Sequence, residues 1–119
     1  MKLVTVPHTG TVFTRYVLGC FGLRDWREHG VGEYMSHHTN EFDEGLVVGE
    51  EDVVVPLRDP MLAEISRLNR GWGMPVQHWD RVLPLFERER THGFRVELPG
   101  CVTPEFELGR LAAFLAFRS

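Results

Sequence analysis

The chain of 119 residues is 43% hydrophobic and 25% charged, which predicts one globular domain spanning residues 1–119 with a single core. Its formal net charge is −4, so we do not expect it to bind nucleic acid through a broad basic surface. No run approaches the ~20 apolar residues of a membrane span, and no leader pattern precedes the first strand. We therefore expect a cytoplasmic protein with no membrane partner.

Two residue types narrow the chemistry further. Twelve of the thirteen basic residues are arginine, so phosphate contacts should come from guanidinium groups, which bind oxyanions through paired hydrogen bonds. The two cysteines, Cys20 and Cys101, lie far apart among apolar residues. This placement predicts buried free thiols in a reducing compartment rather than a disulfide.

The chain begins with a β-branched segment at residues 2–6, which predicts a strand. A tight Thr9-Gly10-Thr11 loop follows, and a helix is then predicted through about residue 22. That helix is indicated by apolar residues at helical spacing, namely Phe13, Val17, Cys20 and Phe21. A strand that enters a helix through such a loop presents free N–H groups and a helix dipole to an anion.

The next segment is less regular. Residues 24–32 are polar, and residues 33–37 could form a short strand. Residues 40–49 carry acidic residues and glycines and are predicted to be a loop, although 45–48 could form another short strand.

A second strand-to-helix unit follows. Residues 53–57 form a nearly continuous apolar run, typical of a central strand buried on both faces of a parallel sheet. Asp59 is a plausible N-cap with Pro60 at the first helical position, and Gly71 should end the helix. Its predicted buried face consists of Met61, Ile65 and Leu68.

The last third contains three predicted elements. Apolar residues from Trp79 to Phe86 indicate a helix that ends before Gly93 and is kinked or delayed by Pro84. Residues 94–98 indicate a strand. Thr103-Pro104 should cap a final helix, whose apolar stripe consists of Leu108, Leu111, Ala112 and Leu115.

Strands that alternate with helices predict an α/β domain with a mostly parallel sheet between layers of helices. Ligands of such sheets bind at the carboxyl ends of the strands. Both candidate phosphate-binding segments, the Thr9-Gly10-Thr11 loop and the Arg58-Asp59-Pro60 segment, follow predicted strands. We therefore expect a nucleotide with phosphates at two separate places.

Two motifs resemble those of sulfotransferases that use 3′-phosphoadenosine 5′-phosphosulfate (PAPS). Pro7-His8-Thr9-Gly10-Thr11-Val12-Phe13 is similar to the family's 5′-phosphosulfate loop, which reads Pro-Lys-[Ser/Thr]-Gly-Thr-Thr-[Trp/Phe] after a strand. Arg58-Asp59-Pro60 followed by Ser66 is similar to its 3′-phosphate motif. The predicted helix containing Leu111-Ala112-Ala113-Phe114-Leu115 is similar to the family's last helix, but less specifically than the two motifs are.

The resemblance implies a P-loop NTPase-like, three-layer fold and a small sulfotransferase that uses PAPS as donor and releases 3′-phosphoadenosine 5′-phosphate. The implied donor contacts are Thr9, Gly10, Thr11 and Val12 at the phosphosulfate, and Arg58 and Ser66 at the 3′-phosphate. No metal is implied.

The sequence departs from this family at one important position, because His8 replaces the loop lysine that stabilises the leaving oxygen. An imidazole does so only when protonated, and neighbouring anions would raise its pKa from about 6.5. His8 is therefore a candidate catalytic residue, with a purely structural hydrogen bond as the alternative.

The resemblance also implies a histidine between the two motifs that acts as general base, and His37 and His38 occupy that interval. Adjacent residues of a strand point to opposite faces, so at most one can easily face the site. The sequence leaves open which one, and a loop histidine or the carboxylates of Glu33, Glu41 or Asp43 are alternatives.

Other possibilities stay open. Arg15, one turn beyond Thr11, could support the phosphate loop or lie on the surface. The short interval between the motifs allows a homo-oligomer or a partner to complete the acceptor pocket. The alternative functions are an inactive nucleotide-binding or interaction module and a small P-loop kinase, the latter disfavoured because no Walker lysine follows Gly10.

Overall fold

The computed structural model describes residues 1–6, 9, 11–38, 50–70, 79–96 and 105–116. Within these ranges four strands are formed: β1 (Lys2–Thr5), β2 (Met35–His38), β3 (Val53–Leu57) and β4 (Thr91–Arg95). The α-helices of the same ranges are α1 (Thr11–Cys20), α2 (Trp26–His29), α3 (Pro60–Arg70) and α4 (Glu105–Ala116). Two 3₁₀ helices precede β4, at Trp79–Arg81 and Leu83–Glu87.

The strands form one parallel sheet in the order β2-β1-β3-β4. Lys2 lies beside Met35 of β2 and beside Val53 of β3. The prediction of an α/β domain with a parallel sheet flanked by helices is confirmed, and so is the central position of β3. From β1 the chain adds β2 on one side and then β3 and β4 on the other. The boundary between β1 and β3 is therefore the topological switch point of a doubly wound sheet.

Each face of the sheet has its own hydrophobic cluster. Leu3 and Val54 face α1 and α4, which contribute Val17, Leu18 and Leu111. The opposite face carries buried valines of β1 and β3 covered by the 3₁₀ helices. Its members are Val4, Val6, Val53, Val55 and Val82, with Leu57, Trp79 and Leu85 packed against them. The alternation of β1 residues between the two clusters follows from the two-residue period of a strand.

Helix α3 departs from its predicted packing. The side chains of Met61, Ile65 and Leu68 are 72%, 46% and 62% exposed, so the prediction that they form a buried face is wrong. Among the α3 side chains that the structure describes, Ala63 is fully buried. The valine face of the sheet packs instead against the 3₁₀ helices that follow in the same crossover.

Three further predictions are corrected. The helix predicted from Trp79 to Phe86 is two 3₁₀ helices, with Pro84 in the first turn of the second, where its missing N–H costs no hydrogen bond. The strand predicted at 94–98 is β4, which begins at Thr91 and contains Gly93. Cys20 is a free thiol as predicted, but it is exposed rather than buried.

The ends of two helices follow local sequence signals. The Asp59 carboxylate accepts a hydrogen bond from the Met61 N–H at 2.8 Å, which confirms Asp59 as the cap of α3. The short helix α2 in the polar segment is capped by Asp25 and ends at Gly30, whose φ of 72° is the left-handed conformation that glycine adopts without strain.

Some predictions fall outside the described residues. They include the loop at 40–49 with its possible strand at 45–48, the alternative bases Glu41 and Asp43, Gly71, Cys101 and the Thr103-Pro104 cap. Within the described ranges, every helix is too short or too polar to cross a bilayer.

Candidate functional site

The carboxyl ends of three neighbouring strands meet at one edge of the sheet. Thr5 ends β1 and lies directly beside His38, which ends β2. Leu57 ends β3 on the other side of β1, and Arg58 follows it. Since β1 and β3 are adjacent and parallel, the two motif segments begin at the same edge and on both sides of the switch point.

Between Val6 and the start of α1, the structure describes one residue, Thr9. Its side chain is fully buried, and its hydroxyl donates to the Val6 carbonyl oxygen at 2.6 Å. A hydroxyl has one proton, so the Thr9 hydroxyl stabilises the turn and cannot also donate to a ligand. His8, Gly10 and Pro7 lie outside the described residues.

Helix α1 begins directly after this loop. Its first turn contains no acidic side chain, so the positive end of the helix dipole is not offset from within the helix. The Thr11 hydroxyl oxygen is buried, and no hydrogen-bond partner for it occurs in the described part of the chain. Val12, by contrast, is 78% exposed. These features make the start of α1 suited to an anion, with Thr11 as a side-chain contact.

The second segment starts at β3. Arg58 directly follows the strand and is half-buried. Asp59 places its carboxylate on the N-terminus of α3, so the helix dipole there is already offset by a negative charge. An anion at this position would therefore depend on the Arg58 guanidinium rather than on α3. Ser66 lies within α3, eight residues after Arg58.

The two adjacent histidines differ in their surroundings. His37 lies beside Val4 in the sheet, so it shares the valine face, and it is 2% exposed. His38 is half-buried and lies beside Thr5, on the face that α1 covers. The Thr5 hydroxyl oxygen is 2.7 Å from the Nδ1 atom of His38. His38 is thus the histidine at the carboxyl edge on the same face as α1.

Arg15 does not lie on the open surface. Its guanidinium contacts the Asp25 carboxylate at 3.2 Å, the Glu28 carboxylate at 3.3 Å and the Ser36 hydroxyl at 3.0 Å. These contacts join α1 to α2 and β2. All three guanidinium nitrogens face these partners, and the suggestion that Arg15 supports the loop before α1 stays a prediction.

Asp25 is the buried centre of this network, and the sequence analysis missed it. It is 2% exposed, and its carboxylate also accepts from the Ser36 hydroxyl at 2.6 Å and from the Arg27 N–H at 3.1 Å. Burial, followed by the Asp25 charge, raises the pKa of the neighbouring Tyr34 to about 12. An aspartate before a four-residue helix carries the ordinary signal of an N-cap, which does not indicate burial.

A second group of charges lies at the opposite, amino edge of the sheet. Arg90 contacts the Asp52 carboxylate at 2.6 Å, and Arg88 donates to the Glu51 carbonyl oxygen at 2.6 Å. These arginines join the segments that enter β3 and β4, which is a structural role. Across the described ranges, no three His, Cys, Asp or Glu side chains converge as a metal site would require.

Comparisons of the chain with models of known families, with curated proteins and with solved structures find no match. The function consequently has to be inferred from the residues at the carboxyl edge of the sheet.

Proposed function

We propose that the chain is a PAPS-dependent sulfotransferase on a compact P-loop-like domain, and that it transfers a sulfuryl group to an acceptor hydroxyl or amine. The observation that carries the proposal is the arrangement of its two phosphate motifs. They follow adjacent parallel strands, β1 and β3, on the two sides of the switch point where doubly wound sheets bind ligands.

The donor's phosphosulfate would occupy the start of α1. Backbone N–H groups around Gly10 and the Thr11 hydroxyl would bind it, and the buried oxygen of Thr11 fits that contact. Thr9 would contribute its N–H, because its hydroxyl is bound to Val6. Val12 would contribute only backbone, since its side chain faces solvent.

The 3′-phosphate would be bound by Arg58, with Ser66 of α3 as a second contact. An arginine can form two parallel hydrogen bonds to a phosphate, which are stronger than neutral hydrogen bonds. This contact distinguishes PAPS and its product from ordinary adenosine phosphates, which lack a 3′-phosphate.

Transfer would proceed by in-line displacement. The acceptor oxygen forms a bond to sulfur as the bond from sulfur to the 5′-phosphate oxygen breaks, and that oxygen keeps the electron pair. A protonated His8 would stabilise the leaving oxygen. Of the two candidate bases, the half-buried His38 would take the acceptor proton, while His37 is buried on the other face of the sheet.

Calorimetry with 3′-phosphoadenosine 5′-phosphate, AMP and ATP tests the donor site. We expect the 3′-phosphorylated nucleotide to bind at least about tenfold more tightly than AMP, because a charge-assisted contact contributes about 1.5–3 kcal/mol. Equal affinities for these two nucleotides would overturn the roles of Arg58 and Ser66. Dependence on ATP and magnesium would favour the kinase alternative.

Two variants locate the 3′-phosphate contact. Arg58→Ala should abolish the preference for 3′-phosphoadenosine 5′-phosphate over AMP. Arg95→Ala removes an exposed arginine at the end of the outer strand β4 and should retain that preference. Loss of the preference in both variants would indicate a general charge effect instead of a specific site.

The inactive binding module is the second candidate because His8 replaces the family's lysine. Sulfate transfer from PAPS to small phenols and amines separates the two. A sulfotransferase should lose transfer in His8→Ala while nucleotide binding persists. Binding of the 3′-phosphorylated nucleotide without any transfer in the parent protein would favour the inactive module.

A further inference from the structure

The hydroxyl of Thr5 lies between two groups of the neighbouring strand. Its oxygen is 2.7 Å from Nδ1 of His38 and 3.4 Å from the carbonyl oxygen of His37. Thr5 is fully buried, and it lies directly beside His38 in the parallel register. Strand pairing therefore fixes the position of this hydroxyl relative to the imidazole.

Counting protons gives one arrangement that satisfies both contacts. A carbonyl oxygen only accepts, so the single hydroxyl proton of Thr5 must be donated to His37. The same hydroxyl oxygen can then only accept from His38, which requires a proton on Nδ1. In the neutral imidazole one nitrogen carries the proton and the other carries the lone pair. The lone pair of His38 is thus on Nε2.

We infer that Thr5 is a positioning residue that holds neutral His38 in the Nδ1–H form and so makes Nε2 its proton acceptor. The hydrogen bond that one ring nitrogen makes determines the state of the other. The reverse arrangement, with Thr5 donating to Nδ1, would leave a proton on Nε2 and lose the contact to His37.

The catalytic consequence rests on the proposed function. The acceptor O–H proton moves to the lone pair of Nε2, which gives an imidazolium with protons on both nitrogens. The Nδ1 proton stays on its hydrogen bond to Thr5, so the ring keeps its orientation during transfer. Thr5 thereby acts on the reaction through His38 without touching the substrate.

Nitrogen NMR of the ¹⁵N-histidine-labelled protein, without nucleotide and above the histidine pKa, measures this directly. Ring ¹⁵N shifts and their couplings to ring protons distinguish a protonated nitrogen from one with a lone pair, and His38→Gln identifies the signals. We expect Nδ1 of His38 to be protonated. A proton on Nε2 in the parent protein would overturn the inference, whatever the variants do.

Two substitutions of Thr5 provide the matched comparison. Thr5→Val keeps the side-chain shape but removes the hydroxyl, and we expect the Nε2–H form to increase. Thr5→Ser retains the hydroxyl and should keep the parent tautomer. An unchanged tautomer in folded Thr5→Val would show that another group determines it. If Thr5→Val does not fold, the parent spectrum and Thr5→Ser still decide.

Nucleotide binding and transfer separate this inference from the proposed function. In Thr5→Val we expect the rate of transfer at saturating donor to fall at least about tenfold, as when a general base is impaired, while the affinity for 3′-phosphoadenosine 5′-phosphate stays unchanged. An Nδ1–H tautomer in a protein that does not bind this nucleotide would retain the inference and reject the proposed function. An Nε2–H tautomer in a protein that does bind this nucleotide would reject the inference and retain the proposed function.

Discussion

Asp25 joins three parts of the chain through one buried carboxylate. It caps α2, contacts Arg15 of α1 and binds Ser36 of β2. A buried carboxylate is stable only when its charge and hydrogen bonds are satisfied. Removing that charge leaves Arg15 without its buried partner, although Glu28 still contacts the same guanidinium.

Asp25→Asn should therefore lower the free energy of unfolding by about 3–5 kcal/mol, as expected when one partner of a buried pair is removed. Urea denaturation measures the loss. Glu28→Gln is the control, because the Glu28 side chain is 49% exposed and its pair should contribute at most about 1 kcal/mol. Similar losses in the two variants would contradict the central role of Asp25.

His92 links stability to pH. It is buried in β4 and stacks on Phe114 of α4 with ring centroids 5.0 Å apart. Burial, followed by the charge of Arg110, lowers its pKa, and the nearby Glu107 opposes that shift. His92 in the folded protein therefore binds a proton only at a lower pH than in the unfolded chain, where it is protonated below about pH 6.5.

Stability should consequently be fully present above about pH 6.5 and fall as the pH decreases toward the lowered pKa of folded His92. The slope contributed by one group is at most about 1.4 kcal/mol per pH unit. Urea denaturation between pH 5 and 8 should show a weaker acid loss in His92→Gln than in the parent. Identical profiles would mean that other groups cause the loss.

At the scale of elements, helix α3 shows the limit of an apolar pattern. Met61, Ile65 and Leu68 recur at helical spacing, which predicts an amphipathic helix, and the helix forms. The pattern does not specify the surface that the apolar side packs against. The valine face of the sheet packs against the 3₁₀ helices, so this side of α3 remains in solvent.

Two glycines give opposite predictions for the same substitution. A Cβ at Gly32, between α2 and β2, would overlap the Arg24 carbonyl oxygen and lie 2.7 Å from the Trp26 nitrogen. Gly109, within α4, faces open space. Gly32→Ala should cost about 1–3 kcal/mol through overpacking, whereas Gly109→Ala should gain about 0.5–1 kcal/mol from helix propensity.

Thermal and urea denaturation of the two alanine variants measure this contrast. A neutral Gly32→Ala would mean that the segment from Arg24 to Trp26 can move without cost. A destabilising Gly109→Ala would mean that α4 packs against another surface at that position.

For the whole molecule, the central strands connect the two hydrophobic clusters. Leu3 and Val4 are neighbours in β1 but belong to opposite clusters, and Val53 and Val54 do the same in β3. Loss of either strand exposes both faces of the sheet. This arrangement predicts one cooperative unfolding transition, as expected for the single domain inferred from chain length.

Two probes test that expectation. Trp79 reports on the valine cluster, and its fluorescence can be isolated in a Trp26→Phe, Trp72→Phe variant. Its urea transition should coincide with that of far-UV circular dichroism, which follows the backbone of the whole chain, including α1 and α4 on the other face. Separate midpoints would show that the two faces unfold independently.

The sequence by itself determined the strand-to-helix units, the parallel sheet, the cap at Asp59 and the positions of the two segments that resemble phosphate motifs, because these depend on local periodicity and turn chemistry. Tertiary structure alone decided the surroundings of His37 and His38. They are adjacent in sequence, yet strand alternation and the pairing of β2 with β1 bury one and place the other beside Thr5. The burial of Asp25 and the exposure of Met61 were decided in the same way, since both depend on distant parts of the chain.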